Sequence, residues 1–219
     1  MVVAGPPQRR ARLGAPVPGD RLEQSTVSTA AAPPAGSADR RPAILAVGTV
    51  VWLASELMFF SGLFAAYFTL RSEATVWPPR GVDLDVTTAT IATLVLIVSS
   101  GTMQLGVRGV EADNRKRFEF WLAVTFVLGA LFIAIQIVDW TRLNFGVDSS
   151  AYGSAVYLME GFHGLHVIGG LLAMLVVGGR AASRRFGAAD LPSVEMLSYY
   201  WHFVDVVWIA LYATIFLLK

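Results

Sequence analysis

The chain has 219 residues, of which 55% are hydrophobic and only 15% are charged. A soluble domain carries about 25% charged residues, so this composition excludes an ordinary water-soluble fold and favours a membrane protein. The net charge of +1 argues against a nucleic-acid partner, and the lack of cysteine excludes disulfides, thiolate metal sites and covalent haem attachment through cysteine.

The first 41 residues are rich in Ala, Pro, Gly, Ser and Arg and show no apolar periodicity. This composition predicts a disordered tail over residues 1–41. An organelle transit peptide is the alternative, but the carboxylates Asp20, Glu23 and Asp39 argue against it. The first long apolar run begins near Ala43, which is too late and too long for a secretory signal.

Five apolar stretches follow, each close to the ~20 residues that a helix needs to cross a bilayer. They lack the strict alternation of a membrane β-barrel, so the sequence predicts an all-α, polytopic membrane protein. A single five-helix transmembrane domain is expected over residues 42–219. The predicted spans are about 43–70, 86–107, 118–140, 153–178 and 196–218. A charged loop over residues 111–117 and a link over residues 180–193 are expected between them.

Basic residues lie mostly on the side of this bundle that holds the tail and the second and fourth connections. That side carries Arg9, Arg10, Arg12, Arg21, Arg40, Arg41, Arg108, Arg115, Lys116, Arg117, Arg180, Arg184 and Arg185. The other side carries Arg71, Arg80, Arg142 and Lys219. By the positive-inside rule, this asymmetry predicts a cytoplasmic N-terminus and an external C-terminus.

Several ionisable residues lie inside the spans, where they are costly and usually face protein or water. Glu56, in the middle of the first span, is a candidate for proton handling or for a lipid cleft. The candidates for a polar seam (a continuous line of polar side chains between helices) or for lipid headgroup binding are Asp139, Glu160, His163, His166, Glu195, His202 and Asp205. Residues three or four apart share a helix face, so the polar residues 160–166 are expected on one side of the fourth span, and 202 and 205 are expected to pair.

A metal site is the most specific hypothesis for these residues. Glu160 and His163 have the Glu-x-x-His spacing of di-iron bundles, but such sites need two of these steps and two further glutamates. Three histidines are also too few for a haem–copper centre. We therefore predict no metal and no catalytic residue in this chain. Hydrogen bonding between helices is favoured, and proton handling by Glu56 or Glu195 stays open.

Five sequence blocks, in order along the chain, resemble conserved blocks of cytochrome c oxidase subunit III. They are residues 52–60 (WLASELMFF), 93–102 (TLVLIVSSGT), 129–136 (GALFIAIQ), 152–167 with its GFHGLHV segment, and 200–208 (YWHFVDVVW). The short tail and five spans resemble the shorter bacterial form of this subunit, and the details resemble actinobacterial members.

The resemblance implies a non-catalytic core subunit of an aa3-type, proton-translocating oxidase in the aerobic respiratory chain. In that family haem a and copper lie in partner subunits I and II, and no cofactor is bound by subunit III. Subunit III packs beside subunit I, holds structural phospholipids and supports proton uptake during the reduction of oxygen. By position, Glu56 would be the family's intramembrane carboxylate. A cytochrome bc-type complex is a further candidate partner.

Two positions depart from the family pattern. Asp139-Trp140 stands where Glu-Tyr is usual, and Glu160 stands where the family has a small polar residue. An added carboxylate inside a membrane bundle needs a partner. We expect that partner to be His163, a lipid or a neighbouring subunit.

Two other functions remain as alternatives. An accessory protein of a nitric oxide reductase system would have a similar size and span count, although the residues from Trp201 to Asp205 favour the oxidase. A free-standing proton or solute carrier is the other alternative. Carriers often contain inverted repeats, and five spans without an internal repeat do not divide into two equal halves.

Overall fold

The computed structural model describes residues 44–183, 186–187 and 190–218, which fold into five long helices. These are α1 (Ile44–Glu73), α2 (Val86–Glu111), α3 (Arg115–Arg142), α4 (Ala151–Ser183) and α5 (Leu191–Tyr212), and α5 continues into a π-helical turn, Ala213–Leu217. All five are long and apolar enough to cross a membrane. The predicted all-α bundle of five spanning helices is confirmed. The predicted tail over residues 1–41 lies outside the described residues.

The helices run further than the predicted spans, and two predicted connections are partly helical. α3 begins at Arg115 and not at residue 118, because the Asn114 side chain accepts a hydrogen bond from the Arg117 backbone N–H and caps the helix. The charged loop predicted over residues 111–117 is therefore wrong for its second half. α5 begins at Leu191 and not at residue 196, with Pro192 in its first turn, a position that proline favours.

A tight turn joins α2 to α3. Asp113 adopts a left-handed conformation with φ of 50°, and the Asn114 N–H donates to the Gly109 carbonyl at 2.8 Å. The two helices approach so closely here that a Cβ at Gly109 would lie 2.8 Å from the Phe118 backbone nitrogen. Glycine at 109 therefore permits the closest helix contact at this end of the bundle.

α5 lies at the centre of the bundle and packs against α1, α2 and α4. Within the most apolar 18-residue window of each helix, 56% of α5 is buried, against 11% of α1. Trp201 of α5 is fully buried and touches α3 and α4 at Gly129 and Gly170. Its indole Nε1 donates to Ser99 Oγ of α2 at 3.0 Å. One side chain of α5 thus contacts three other helices.

The two ends of the bundle differ in charge. At one end, here named the acidic end, the segment before α2 and the end of α3 line one recess that carries Asp83, Asp85 and Asp139. At the other, named the basic end, Arg115 at the start of α3 donates to the Ala182 carbonyl near the end of α4 at 3.0 Å. The recess also contains Arg142, and the predicted orientation depends on the distribution of Lys and Arg between these two ends.

Candidate functional site

An ion pair joins α1 to α4. Glu56 Oε2 lies 3.0 Å from His166 Nε2, and the two side chains are 24% and 18% exposed. The other carboxyl oxygen of Glu56 accepts a hydrogen bond of 3.0 Å from Trp52 Nε1, one turn earlier on α1. Both carboxyl oxygens therefore have a partner. Glu56, the predicted intramembrane carboxylate, is held by one residue of its own helix and one of α4.

The hydrogen bonds of His166 fix how many protons this pair holds. His166 Nδ1 lies 2.7 Å from the Phe162 carbonyl, which can only accept, so Nδ1 carries a hydrogen. The contact between Nε2 and Glu56 then needs one further proton, carried either by the imidazole or by the carboxyl group. In both forms the pair has no net charge. The arrangement can hold one proton at either of two atoms 3.0 Å apart.

Aromatic rings surround this pair, and an apolar groove lies beside it. The Phe60 ring packs edge-on to His166 at 4.9 Å, and Trp52 stacks on Tyr200 at 5.0 Å. The groove runs from there towards the basic end and has a volume of about 350 Å³. It is lined by Thr49, Trp52, Gly169, Ala173, Val177, Ser193, Met196, Leu197 and Tyr200. Its shape and lining suit an acyl chain.

A second polar group joins α2 to α5. Ser100 Oγ lies 2.7 Å from His202 Nδ1 and donates to Asp205 Oδ2 in a short hydrogen bond. The Ser100 hydroxyl thus contacts both an imidazole and a carboxyl group of α5, and these contacts join α2 to α5. His202 and Asp205 pair here through Ser100 of α2.

Glu160 and His163 do not bind each other. The Glu160 carboxyl is 3% exposed and accepts a hydrogen bond of 2.7 Å from Trp140 Nε1 of α3. The His163 ring is completely buried between the rings of Phe132 and Trp208, and neither of its nitrogens has a hydrogen-bond partner. Of the three partners expected for Glu160, His163 is therefore excluded, and Trp140 supplies the hydrogen bond.

The polar residues of α4 do not form one continuous seam. Successive steps of three residues rotate around the helix, so Glu160 faces α3, His163 lies between α3 and α5, and His166 faces α1. Glu195 lies half-buried near the start of α5, two turns from His202. In the part of the chain that the structure describes, no group of three or more His, Cys, Asp or Glu is arranged to hold a metal ion.

The partners of these residues were missed by the sequence analysis. Trp52 could have been found, because it lies four residues before Glu56 on one helix face. Ser100 and Gln136 carried no such signal, because their partners are on other helices more than 20 residues away. Trp140 was noted only as a departure from a family pattern, yet it supplies the hydrogen bond that holds Glu160.

Comparisons with known proteins agree on one family. The family model described as cytochrome c oxidase subunit III matches residues 40–219. A probable cytochrome c oxidase subunit 3 of Nocardia farcinica is 44% identical over 183 residues, which is 82% of this chain and 90% of the relative. The corresponding protein of Mycobacterium tuberculosis is 45% identical with the same coverage. The cytochrome c oxidase subunit 3 of Corynebacterium diphtheriae is 40% identical over 86% of this chain and 95% of its own length.

Proposed function

Since this chain belongs to the cytochrome c oxidase subunit III family and so to an oxidase complex, we propose that it is the non-catalytic subunit III of an aa3-type enzyme. It stabilises subunit I, binds structural phospholipids and supports proton uptake while haem a and copper in subunits I and II reduce oxygen to water. The resemblance in sequence that implied this family is confirmed by the match over residues 40–219.

The pair of Glu56 and His166 is the observation that carries this proposal. It places a carboxyl group and an imidazole 3.0 Å apart in an apolar setting, on the helix that the rest of the bundle covers least. Partly exposed polar groups at membrane depth face protein, water or a lipid headgroup. A neighbouring subunit or a phospholipid would complete the burial of the pair, and the adjoining groove would take the acyl chain.

The test is a Glu56→Gln variant in the purified oxidase. We expect normal haem content and an initial turnover rate close to that of the wild type, because the carboxyl group supports the enzyme and is not part of its redox centre. Activity should decay sooner during sustained turnover. The matched control is Glu73→Gln, the same substitution at an exposed side chain at the end of α1. Complete loss of assembled, haem-containing enzyme in the Glu56 variant would contradict the proposal.

Purification in mild detergent separates the proposed function from its alternatives. An affinity tag on this chain should bring down a copper-containing subunit II and the absorption bands of haem a. Recovery of a nitric oxide reductase, or transport by the isolated chain, would contradict the proposal. A cytochrome bc-type complex, if it is a partner, should appear in the same preparation.

We also place the protein in the bacterial cell membrane with the basic end in the cytoplasm. The loops of membrane proteins that lie in the cytoplasm carry an excess of Lys and Arg near the spans. The N-terminus is then cytoplasmic and the C-terminus external. A cysteine at Lys116 should react with an impermeant thiol reagent only in inverted vesicles, and one at Asp148 only in intact cells.

A further inference from the structure

A small internal cavity lies between α2, α3, α4 and α5. About 10 Å³ of it is open to the centre of a water molecule, which is room for about one water. Its apolar walls are Ala89, Ala92, Phe132, Ile135, Trp208 and Phe216. Four polar residues also line it, namely Thr88, Gln136, Asp139 and Glu160. This volume and these polar groups meet the requirements for holding one water molecule.

Glu160 is the most deeply placed carboxyl group in this cavity. It lies nine residues from the start of α4, about 14 Å along the helix. Its one hydrogen bond to a side chain comes from Trp140 Nε1, and among the described residues no basic group lies within ion-pair distance of it. An unpaired carboxylate in such a place is very costly, so Glu160 retains its proton.

Gln136 supplies a second observation that points to bound water. Its Nε2 donates to the Glu160 backbone carbonyl at 3.2 Å, which fixes the amide at the cavity wall. Its Oε1 is buried and has no hydrogen-bond partner. Buried polar atoms in native proteins nearly always have a partner, from the protein or from ordered water. Oε1 lies on the α4 side of this amide, where a Cβ at Gly164 would be 3.4 Å from it, and a water that reaches it would supply the missing partner.

The cavity and the recess at the acidic end share a lining residue. Asp139 lines both the cavity and the open recess of about 630 Å³ at that end. Thr88 lines the cavity, and its hydroxyl donates to Asp85 Oδ2, at the recess, at 2.5 Å. Two polar links therefore join the interior of the bundle to the aqueous face.

We propose that Glu160 is a proton-binding site that exchanges its proton, through one cavity water and Asp139, with the aqueous phase at the acidic end. The Glu160 carboxyl passes its proton to the water, which passes one to the Asp139 carboxylate. The reverse steps restore Glu160, and no other group changes.

The charged and titratable groups around this site are few. The charged groups that face the recess are Asp139 and Arg142 of α3 and Asp83 and Asp85 before α2, while Tyr152 and His163 lie on α4 to either side of Glu160. The residues of α5 that line the cavity are apolar. Among the described residues, Asp139 is the titratable group that lines both the cavity and a recess, so the proposed exchange runs towards the acidic end. This site is separate from Glu56 and His166, which lie between α1 and α4.

The first test is infrared spectroscopy of the purified oxidase complex. The difference spectrum between the wild type and Glu160→Gln should contain the carbonyl stretch of a protonated carboxyl group, and this band should shift soon after transfer to deuterium oxide. Asp139→Leu should leave the frequency of this band in ordinary water unchanged. The rate of its deuterium-induced shift should fall at least about tenfold, as expected for the loss of one hydrogen-bonded step. Asp83→Leu, in the recess but not at the cavity, is the matched control and should exchange at the wild-type rate.

The second test uses the absence of native cysteine in this chain. Gln136→Cys and Glu160→Cys should react with aqueous silver ion, each thiol losing its proton and binding Ag⁺, and should then resist alkylation after denaturation. Both should react from the same membrane side as a reference cysteine at Asp148, and not from the side of one at Lys116. Val167→Cys, completely buried on α4, should not react.

Several results would overturn the proposal. They are the absence of a protonated carboxyl band that depends on Glu160, a band that does not exchange, and an exchange rate that Asp139→Leu leaves unchanged. Reaction of the cysteine at Glu160 only from the basic end would also contradict it. If the complex that carries this chain contains no haem a, the proposed function fails, while these exchange and labelling results keep their meaning.

Discussion

The Trp201 ring packs between two glycines, Gly129 and Gly170. Replacing one of them with a larger residue tests this packing. A Cβ at Gly170 would lie 2.8 Å from both Cε3 and Cζ3 of the Trp201 ring. The ring cannot move away, because a Cβ at Gly129, on its other side, would lie 2.7 Å from Cη2. Gly170→Ala must therefore displace α4 or α5. Overpacking of this kind costs about 1–3 kcal/mol.

A second glycine supplies the matched control. Gly101, within α2, has no atom within 4 Å of the position of an added Cβ. Alanine is favoured over glycine inside a helix by about 1 kcal/mol, and this gain is common to both substitutions. The difference between Gly170→Ala and Gly101→Ala therefore isolates the overpacking cost of about 1–3 kcal/mol.

The assay is the temperature at which this chain is lost from the detergent-purified complex, followed by size-exclusion chromatography after a heating step. For a chain of this size about 1 kcal/mol shifts the melting temperature by about 2–4 °C. Gly170→Ala should melt several degrees below Gly101→Ala. Equal melting temperatures for the two variants would show that Trp201 is not held between α3 and α4 as the structure has it.

Two further predictions concern hydrogen bonds at helix ends and between helices. The hydrogen bonds from the side chain and backbone of Thr88 lower the pKa of the exposed Asp85 carboxyl. The ionised carboxyl group therefore stabilises the folded chain fully above about pH 4, and this stabilisation is lost as the pH falls through the lowered pKa of the folded state. Asp85→Asn retains the cap without this titration, so the melting temperatures of the two proteins should converge at acidic pH, and a constant gap would contradict the cap. Ser100→Ala removes the hydroxyl that bonds the buried Asp205 and should destabilise the chain by about 1–3 kcal/mol in the same heating assay. Ser61→Ala, whose hydroxyl bonds only within its own helix, should be close to neutral, and equal effects would argue against the contact between α2 and α5.

The number of helices could be predicted from the sequence, but the residues at which they begin and end could not. Each span is a long apolar run, and hydropathy alone identifies it. The ends depend on single residues that hydropathy does not register. Asn114 starts α3 through a side-chain hydrogen bond, and Pro192 stands in the first turn of α5. Polar residues close to a span were therefore assigned to connections although they are helical.

The candidate site was predictable where partners are close in sequence and not where they lie on different helices. Helical spacing predicted that His202 and Asp205 meet, and it could not reveal Ser100, which joins them from α2. The same spacing suggested one line from Glu160 to His166, but each step of three residues turns the side chain by about 60° from the last. Two such steps are enough to reach a different neighbouring helix.

Hydrogen bonds between side chains hold α2 and α5 together along their length. From the acidic end inwards, Thr90 bonds Tyr212, Thr93 accepts from Trp208, Ser99 accepts from Trp201, and Ser100 bonds His202. In lipid, apolar surface gives helices little reason to associate, so packing and such polar contacts must supply the stability. α1 shows the contrast: its polar side-chain contact with α4 is the pair of Glu56 and His166. Loss of that contact, for example in Glu56→Gln, therefore removes a polar link to the helix that the rest of the bundle covers least.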